Sequence, residues 1–205
     1  MKIALPPAPL ATVRATETAP APYRAPVCSL HAVPAPRARA VKSEGWARPG
    51  SSSSPAYISL SRDHVALLRS SEGRLLTPID LGRMELSTQQ AWDNAADTLL
   101  CTQADTIEFT VRNASFALGD GAPHGLEVQG GTHPPAAWVA HPRTFRVLHS
   151  HFTEVLSPLK SLVFVTRDHQ ELFVFDADVR HVRAFFRDAA VFTYSLGFPI
   201  NYRGR

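Results

Sequence analysis

The chain has 205 residues, 44% of them hydrophobic, and a formal net charge of +3. This hydrophobic content is enough for a core, whereas two cysteines are too few for a disulfide scaffold. No apolar run reaches the roughly 18 to 20 residues that a membrane-spanning helix needs. Composition therefore predicts a globular, cytoplasmic protein that does not bind membranes.

The first 55 residues differ in composition from the rest. They contain ten of the 17 prolines, seven basic residues and two acidic ones. Such a segment buries too little apolar surface to offset its chain entropy, so we expect a disordered basic leader over residues 1–55. Residues 56–205 carry 14 basic and 16 acidic residues, and we expect a single domain there. Because the basic excess lies in the leader, the sequence does not favour nucleic acid as a partner.

The first half of the expected domain reads as a hairpin, a helix and further strands. Alternating apolar residues predict hairpin strands at about residues 64–69 and 74–79, joined by the turn "SSEG". Ser87 and Gln90 have the spacing of a capping box, which indicates a helix through "TQQAWDNAADTLLC". Residues 107–111 then alternate as a strand does. "GDGAPHG" reads as a loop, and "AAWVA" as a further short strand.

The second half reads as a helix, a hairpin and a last helix. Pro142 suits a first helical position and Pro158 a stop, which predicts a helix over residues 142–156. "SLVFVTRDHQELFVFDA" is the clearest hairpin, and its uninterrupted apolar run indicates burial on both faces. Asp178 is a candidate cap for a helix that runs to Gly197 and buries Phe186, with "FPINYRGR" as a tail.

These elements together predict the fold class. Their order, ββ-α-βββ-α-ββ-α, is that of an α+β domain in which about three helices pack on a largely antiparallel sheet. The sequence contains no internal repeat that would point to a solenoid or a propeller.

Three histidines lie close together in "HPRTFRVLHSHF". Each helical residue turns by about 100°, so His149 and His151 lie roughly 200° apart and cannot grip one ion. We expect both to be solvated or packed at the surface. A looser set, His124, His133 and His141 with Glu127, remains as a candidate metal site made by loops, and it carries an alternative function, a metal-assisted hydrolase.

Other catalytic and cofactor signals are absent from the sequence. It has no GxSxG elbow, no phosphate-binding glycine loop and no CxxC pair, so we expect no bound cofactor. Asp168, His169 and Glu171 lie at the tip of the predicted hairpin, where polar residues occur for solubility alone. The sequence therefore favours a domain without a catalytic centre.

The second strand of the clear hairpin, "ELFVF", contains no proline or lysine that would discourage strand pairing. If this strand lies at a sheet edge, Leu172, Val174 and Phe175 form the predicted site for a protein partner or for a second copy of the chain. The leading hypothesis is thus a non-catalytic protein-interaction domain, self-associating or chaperone-like.

Two segments carry a family resemblance that spans roughly residues 80–178. "LSTQQAWDNAADTLL" resembles the helix that opens the C-terminal half of the YtpQ-type uncharacterised bacterial proteins, and "LVFVTRDHQELFVFDAD" is similar to their strand, Arg-Asp turn and strand. The resemblance implies a bacterial protein and transfers no activity. The predicted element order is also similar, as topology alone, to that of small secretion chaperones.

Overall fold

The computed structural model describes residues 13–15, 30–40, 54–101, 107–130, 133–168 and 170–202, and within them the chain has an α+β fold. Most of the expected leader, and the last three residues of the expected tail, lie outside the described residues. The helices are α1 (Pro78–Arg83), α2 (Thr88–Cys101), α3 (Ser115–Leu118), α4 (Pro142–Leu156) and α5 (Val179–Phe185). The strands are β1 (Val13–Ala15), β2 (Leu30–Pro36), β3 (Tyr57–Ser59), β4 (His64–Ser70), β5 (Ile107–Phe109), β6 (Val111–Asn113), β7 (Gly125–Val128), β8 (Leu162–Thr166), β9 (Leu172–Asp176), β10 (Ala190–Ser195) and β11 (Phe198–Asn201).

Six strands form the main sheet, in the order β6-β7-β9-β8-β10-β11, and every neighbouring pair is antiparallel. The predicted hairpin is confirmed as β8 and β9, which pair with each other at the centre of this sheet. All five residues of β8 are buried, as are the first four of β9. The uninterrupted apolar run of the sequence therefore reflects a strand pair covered on both faces.

Each face of the main sheet has its own cover. Helix α4 lies against one face, where its residues Phe145, Leu148 and Phe152 join a cluster with Phe164 and Val174. On the opposite face, Val182 of α5 and the following Phe186 pack against the alternate residues of the same strands, which are Val163, Val165, Phe173, Phe175 and Val191. Successive residues of a strand point to opposite faces, so alternate residues of β8 and β9 belong to two separate hydrophobic clusters.

The boundary expected at residue 56 is wrong for residues 30–40, which are folded. Strand β2 pairs with all seven residues of β4, and β3 pairs with the other side of β4 in a three-stranded sheet. Leu30 and Ala32 pack with Trp92 and Ala95 of α2. The sequence did not predict this strand, because prolines are rare in strands. Pro34 and Pro36 are tolerated here because β2 is an edge strand, where a missing N–H breaks no ladder bond.

The predicted hairpin of residues 64–69 and 74–79 is only partly correct. Its first strand is β4, but residue 75 makes a single bridge to Arg69 and helix α1 begins at Pro78. The reason is a capping box that the sequence reading missed, in which Thr77 accepts the Asp80 N–H and Asp80 accepts the Thr77 N–H. The pairing partners of β4 are β2 and β3 instead.

Three predictions around α2 and α4 have different outcomes. The capping box is confirmed, because the Gln90 N–H donates to Ser87 Oγ over 3.2 Å and the Ser87 N–H to Gln90 Oε1 over 2.9 Å. The predicted helix of residues 142–156 is confirmed as α4. "AAWVA" is not a strand, since Pro135–Val139 forms a 3-10 helix whose first residue is a proline with φ already suited to a helical turn.

The last predicted helix is too long. Asp178 does cap α5 by accepting the Arg180 N–H, but the helix ends at Phe185 and the chain continues as the hairpin of β10 and β11. "AVFTYS" is rich in aromatic and β-branched residues, which favour a strand. The two turn residues, Leu196 and Gly197, have φ values of 49° and 90°, as a two-residue hairpin turn requires. The expected tail therefore contains an edge strand.

Because β2 belongs to the fold, truncation before residue 56 should destabilise the protein. Leu30 and Val33 alone should contribute at least about 3 kcal/mol by burial. We expect residues 56–205 to melt about 10 °C or more below residues 30–205, or to show no cooperative transition. Superimposable thermal denaturation curves of the two fragments would show that β2 contributes nothing.

The position of Phe186 between the sheet and α5 gives a second stability prediction. Its ring centroid lies 5.5 Å from that of Phe175, and its side chain is 5% exposed. We expect Phe186→Ala to lower the free energy of unfolding by about 3 to 5 kcal/mol. Phe116→Ala, at a site that is 71% exposed, is the matched control and should change it by less than about 0.5 kcal/mol in urea denaturation.

Candidate functional site

The predicted interaction strand is not at an edge. Strand β9 lies between β7 and β8, so both of its hydrogen-bonding sides are occupied. Leu172, Val174 and Phe175 are each 0% exposed. The prediction of a docking site at these three residues is therefore wrong. The absence of proline and lysine from "ELFVF" is what a central strand needs, because each of its N–H groups must join a ladder.

The outer strand next to β10 is β11, and its edge is protected by a proline. The Tyr202 N–H donates to the Val191 carbonyl over 2.7 Å, which extends the β10–β11 ladder. By the alternation of an antiparallel pair, Phe198 and Ile200 also bond towards β10, while Pro199 faces away. Since Pro199 has no N–H to offer, another strand cannot pair fully with this edge.

The outer edge of β2 is protected in the same way. The Leu68 N–H donates to the Ala56 carbonyl, so Ala66 and Leu68 of β4 bond towards β3, and the intervening residues of β4 bond towards β2. Pro34 and Pro36, opposite even-numbered residues of β4, consequently face outwards. The dipeptides "VP", "AP" and "FP" were the sequence signals that could have located both edge strands.

The exposed apolar side chains gather at one corner of the main sheet. Among the described residues, eight large apolar side chains are exposed, and four of them lie in the α4–β8 loop, the β10–β11 turn and β11. The register that pairs Val163 with Thr193 brings that loop and that turn to the same end of the sheet. We name these four residues the apolar corner: Leu159 (96% exposed), Leu196 (94%), Phe198 (49%) and Ile200 (47%).

Leu196 is unusual at its position. A φ of 49° is left-handed backbone, which Asn, Asp and Gly adopt readily and larger apolar residues avoid. Leucine here gains no burial, because its side chain is 94% exposed. The turn therefore carries an apolar side chain that neither its backbone geometry nor packing in the monomer calls for.

An exposed lysine lies beside the apolar corner. Lys160 is exposed and follows Leu159 directly, and the N–H groups of both residues donate to the Asp176 carboxylate. Lys160 thus places one positive charge beside the apolar corner.

The candidate metal residues do not form a metal-binding group, although His133 and His141 line one small cavity. Among the described residues, no group of three or more histidine, cysteine, aspartate or glutamate side chains could hold a metal ion. His124 is exposed in the loop before β7. Glu127 forms an ion pair across the β6–β7 ladder with Arg112, at 2.7 Å. The set of His124, His133 and His141 proposed from the sequence is therefore not a site.

His141 caps α4 and joins it to α2. Its Nδ1 accepts the Arg143 N–H over 3.0 Å, so its Nε2 carries the proton that is donated to Asp93 over 3.1 Å. Its ring also lies 4.1 Å from that of Trp92, whose Nε1–H donates to the Ala140 carbonyl. Because both ring nitrogens are engaged, this Asp–His pair is a structural cap with no lone pair left for a general base.

A small cavity lies beside this cap, between β2, α2 and the loop before α4. Its volume is about 10 Å³, roughly the space of one water molecule, and its lining includes His31, His133 and His141. The rings of His31 and His133 are 4.5 Å apart. Burial lowers the pKa of His31. The pKa of His133 is also lowered, mainly by burial and to a smaller extent by the nearby His31. Burial also lowers the pKa of His141, against the opposing effect of Asp93.

Of the two histidines of α4 that were expected at the surface, one lies there and the other is buried. His149 is half-buried and stacks on Tyr194 with ring centroids 4.0 Å apart, as a surface-packed residue does. His151 is not at the surface: it is 4% exposed and contacts the ring of Phe109 at 4.8 Å. Burial lowers the pKa of both imidazoles. The helical wheel missed this because Phe109, which contacts His151, belongs to β5, and β5 lies outside the main sheet.

The polar tip of the β8–β9 hairpin has a structural role. Asp168 Oδ1 accepts the N–H groups of Gln170 and Glu171, and Arg167 forms an ion pair with Glu171. His169 lies outside the described residues. Asp168 and Glu171 are thus bound to the turn itself.

Comparison with known proteins gives no relative: no family model, no curated protein and no solved structure matches the chain. Within the described ranges, no helix is both long and apolar enough to cross a bilayer. The YtpQ-type resemblance stays an expectation.

Five buried or half-buried histidines with lowered pKa values make stability depend on pH. Because the pKa values are lowered in the folded state, the unfolded chain binds protons at a higher pH than the folded chain does. The contribution of these histidines to stability is therefore fully present above about pH 6.5 and decreases below it. We expect the free energy of unfolding in urea to decrease from about pH 7.5 to pH 5.5, and less so in His31→Gln. His124→Gln, at an exposed position, is the control and should keep the wild-type slope.

Proposed function

We propose that this protein is a non-catalytic interaction domain that binds another protein through its apolar corner. The observation that carries the proposal is the concentration of half of the exposed large apolar side chains of the described residues at Leu159, Leu196, Phe198 and Ile200. Together these side chains expose apolar surface on the order of a few hundred Å², the size at which patches mark interaction sites.

The outer strand β11 determines how a partner can bind. Pro199 faces outwards on β11, so addition of a partner strand is disfavoured and contact must come from side chains. Leu159 and Leu196 project from two loops at the same end of the sheet. Projecting leucines fit a groove on a partner, much as anchor residues do in other interfaces.

The charge of the corner selects between partners. Lys160 of one copy would meet Lys160 of another if two corners packed together, which costs energy. A different protein, with an apolar groove flanked by carboxylates, contacts both the leucines and Lys160 favourably. We therefore commit to an acidic, apolar partner. Self-association is the alternative that the experiment distinguishes.

The metal-assisted hydrolase receives no support from the described residues. Among the described residues, His124, His133 and His141 form no metal-binding group, and both ring nitrogens of His141 are engaged in capping and in the bond to Asp93. A binding role needs none of these groups to be reactive.

A peptide-display experiment tests the proposal. Peptides selected on the full chain should be rich in Leu, Phe, Asp and Glu, and their affinity should fall as salt increases. Leu196→Asn should weaken binding at least about tenfold in fluorescence anisotropy, since one buried leucine is worth about 1.5 to 3 kcal/mol. Asn tolerates the left-handed turn, so this variant should fold normally.

A matched pair of lysine substitutions serves as the control. Ile200 and Ile79 are both 47% exposed, but only Ile200 belongs to the corner. Ile200→Lys should abolish peptide binding, whereas Ile79→Lys should leave it unchanged. Equal binding by both variants would reject the corner. A dimer in sedimentation velocity that disappears in Leu196→Asn would show that the partner is a second copy.

A further inference from the structure

A second site lies at the opposite end of β10 from the apolar corner. There the start of β4, the residue after β8, helix α5, the start of β10 and the end of β11 line a half-open cavity of about 260 Å³. This is slightly smaller than the pockets that hold drug-sized ligands, which fits a small molecule. Its polar lining residues are Asp63, His64, Arg167, Arg183, Asp188, Asn201 and Tyr202.

The donors in this lining suit a carboxylate. Arg183 Nη1 donates to the carbonyls of Phe186 and Ala189, over 3.3 and 2.7 Å, which fixes the guanidinium at the end of α5. Both bonds use Nη1, so the Nε and Nη2 groups take no part in them. Asn201 and Tyr202 add an amide and a phenol to the same lining. A carboxylate is a partner for such a fixed guanidinium fork.

The acids in the lining suit an ammonium group. Asp188 is exposed, and its carboxylate makes no ion pair among the residues that the structure describes. Asp63 lines the same cavity, and Arg167 already shares its charge with Glu171. The cavity therefore holds both signs of charge. A phosphate would be repelled by the two carboxylates, and a simple cation would be repelled by Arg183.

We propose that this cavity binds a small zwitterion of the amino-acid class, with its carboxylate at Arg183 and its ammonium group at Asp188. The two groups come from different elements, α5 and the segment before β10, so a ligand carrying both charges bridges them. This site is separate from the apolar corner, and its occupancy does not depend on the proposed function.

The test uses the full chain with the individual proteinogenic amino acids, ammonium acetate and inorganic phosphate, each at millimolar concentration. We expect at least one amino acid to raise the melting temperature saturably and to bind in calorimetry. Ammonium acetate should be much weaker, because its two ions lose the advantage of one connected ligand.

Asp188→Asn should weaken the binding of that amino acid by at least about tenfold, through loss of one charge-assisted contact. Asp120→Asn, at another exposed aspartate in the turn after α3, is the matched control and should bind as the wild type does. The proposal is overturned if no amino acid binds, if Asp188→Asn binds equally well, or if phosphate binds more tightly than every amino acid.

Discussion

The central strand pair of the main sheet, β8 and β9, is the constraint on which the rest of the structure depends. Its residues are buried on both faces, so the fold must supply two covers. Helix α4 supplies one, while α5 and Phe186 supply the other. Both hydrogen-bonding sides of the pair are also occupied, by β7 and by β10. The segments left for contact with other molecules are therefore the outer strands and the loops at the two ends of the sheet.

Proline occurs in two of those outer strands, β2 and β11. Pro34 and Pro36 face outwards on β2, and Pro199 does so on β11. Each removes an N–H that an incoming strand would need, so these edges resist the aggregation to which an open sheet is prone. Side chains can still make contact beyond a blocked edge. This is why the apolar corner is better suited to a partner's groove than to a partner's strand.

The histidines serve the packing of the fold. His141 caps α4 and bonds to Asp93, His151 packs on Phe109, and His31 meets His133 where β2 contacts the loop before α4. Imidazole suits these places because, when neutral, it offers one donor and one acceptor on an apolar ring. The same choice makes the protein sensitive to acid, since each ring loses favourable burial when it is protonated.

The sequence by itself determined the features that depend on neighbouring residues: the capping box of α2, the start of α4 at Pro142, the Asp178 cap of α5 and the β8–β9 hairpin. These follow from local hydrogen bonds and from a strong apolar period. Only the tertiary structure decided which strands are central. β9 pairs on both sides with distant segments, and β2 belongs to the fold because β4 and α2 cover it. Both candidate sites join residues far apart in sequence, such as Leu159 with Leu196 and Arg183 with Asp63. No local pattern encodes these contacts, because strand order is set by the burial of whole faces.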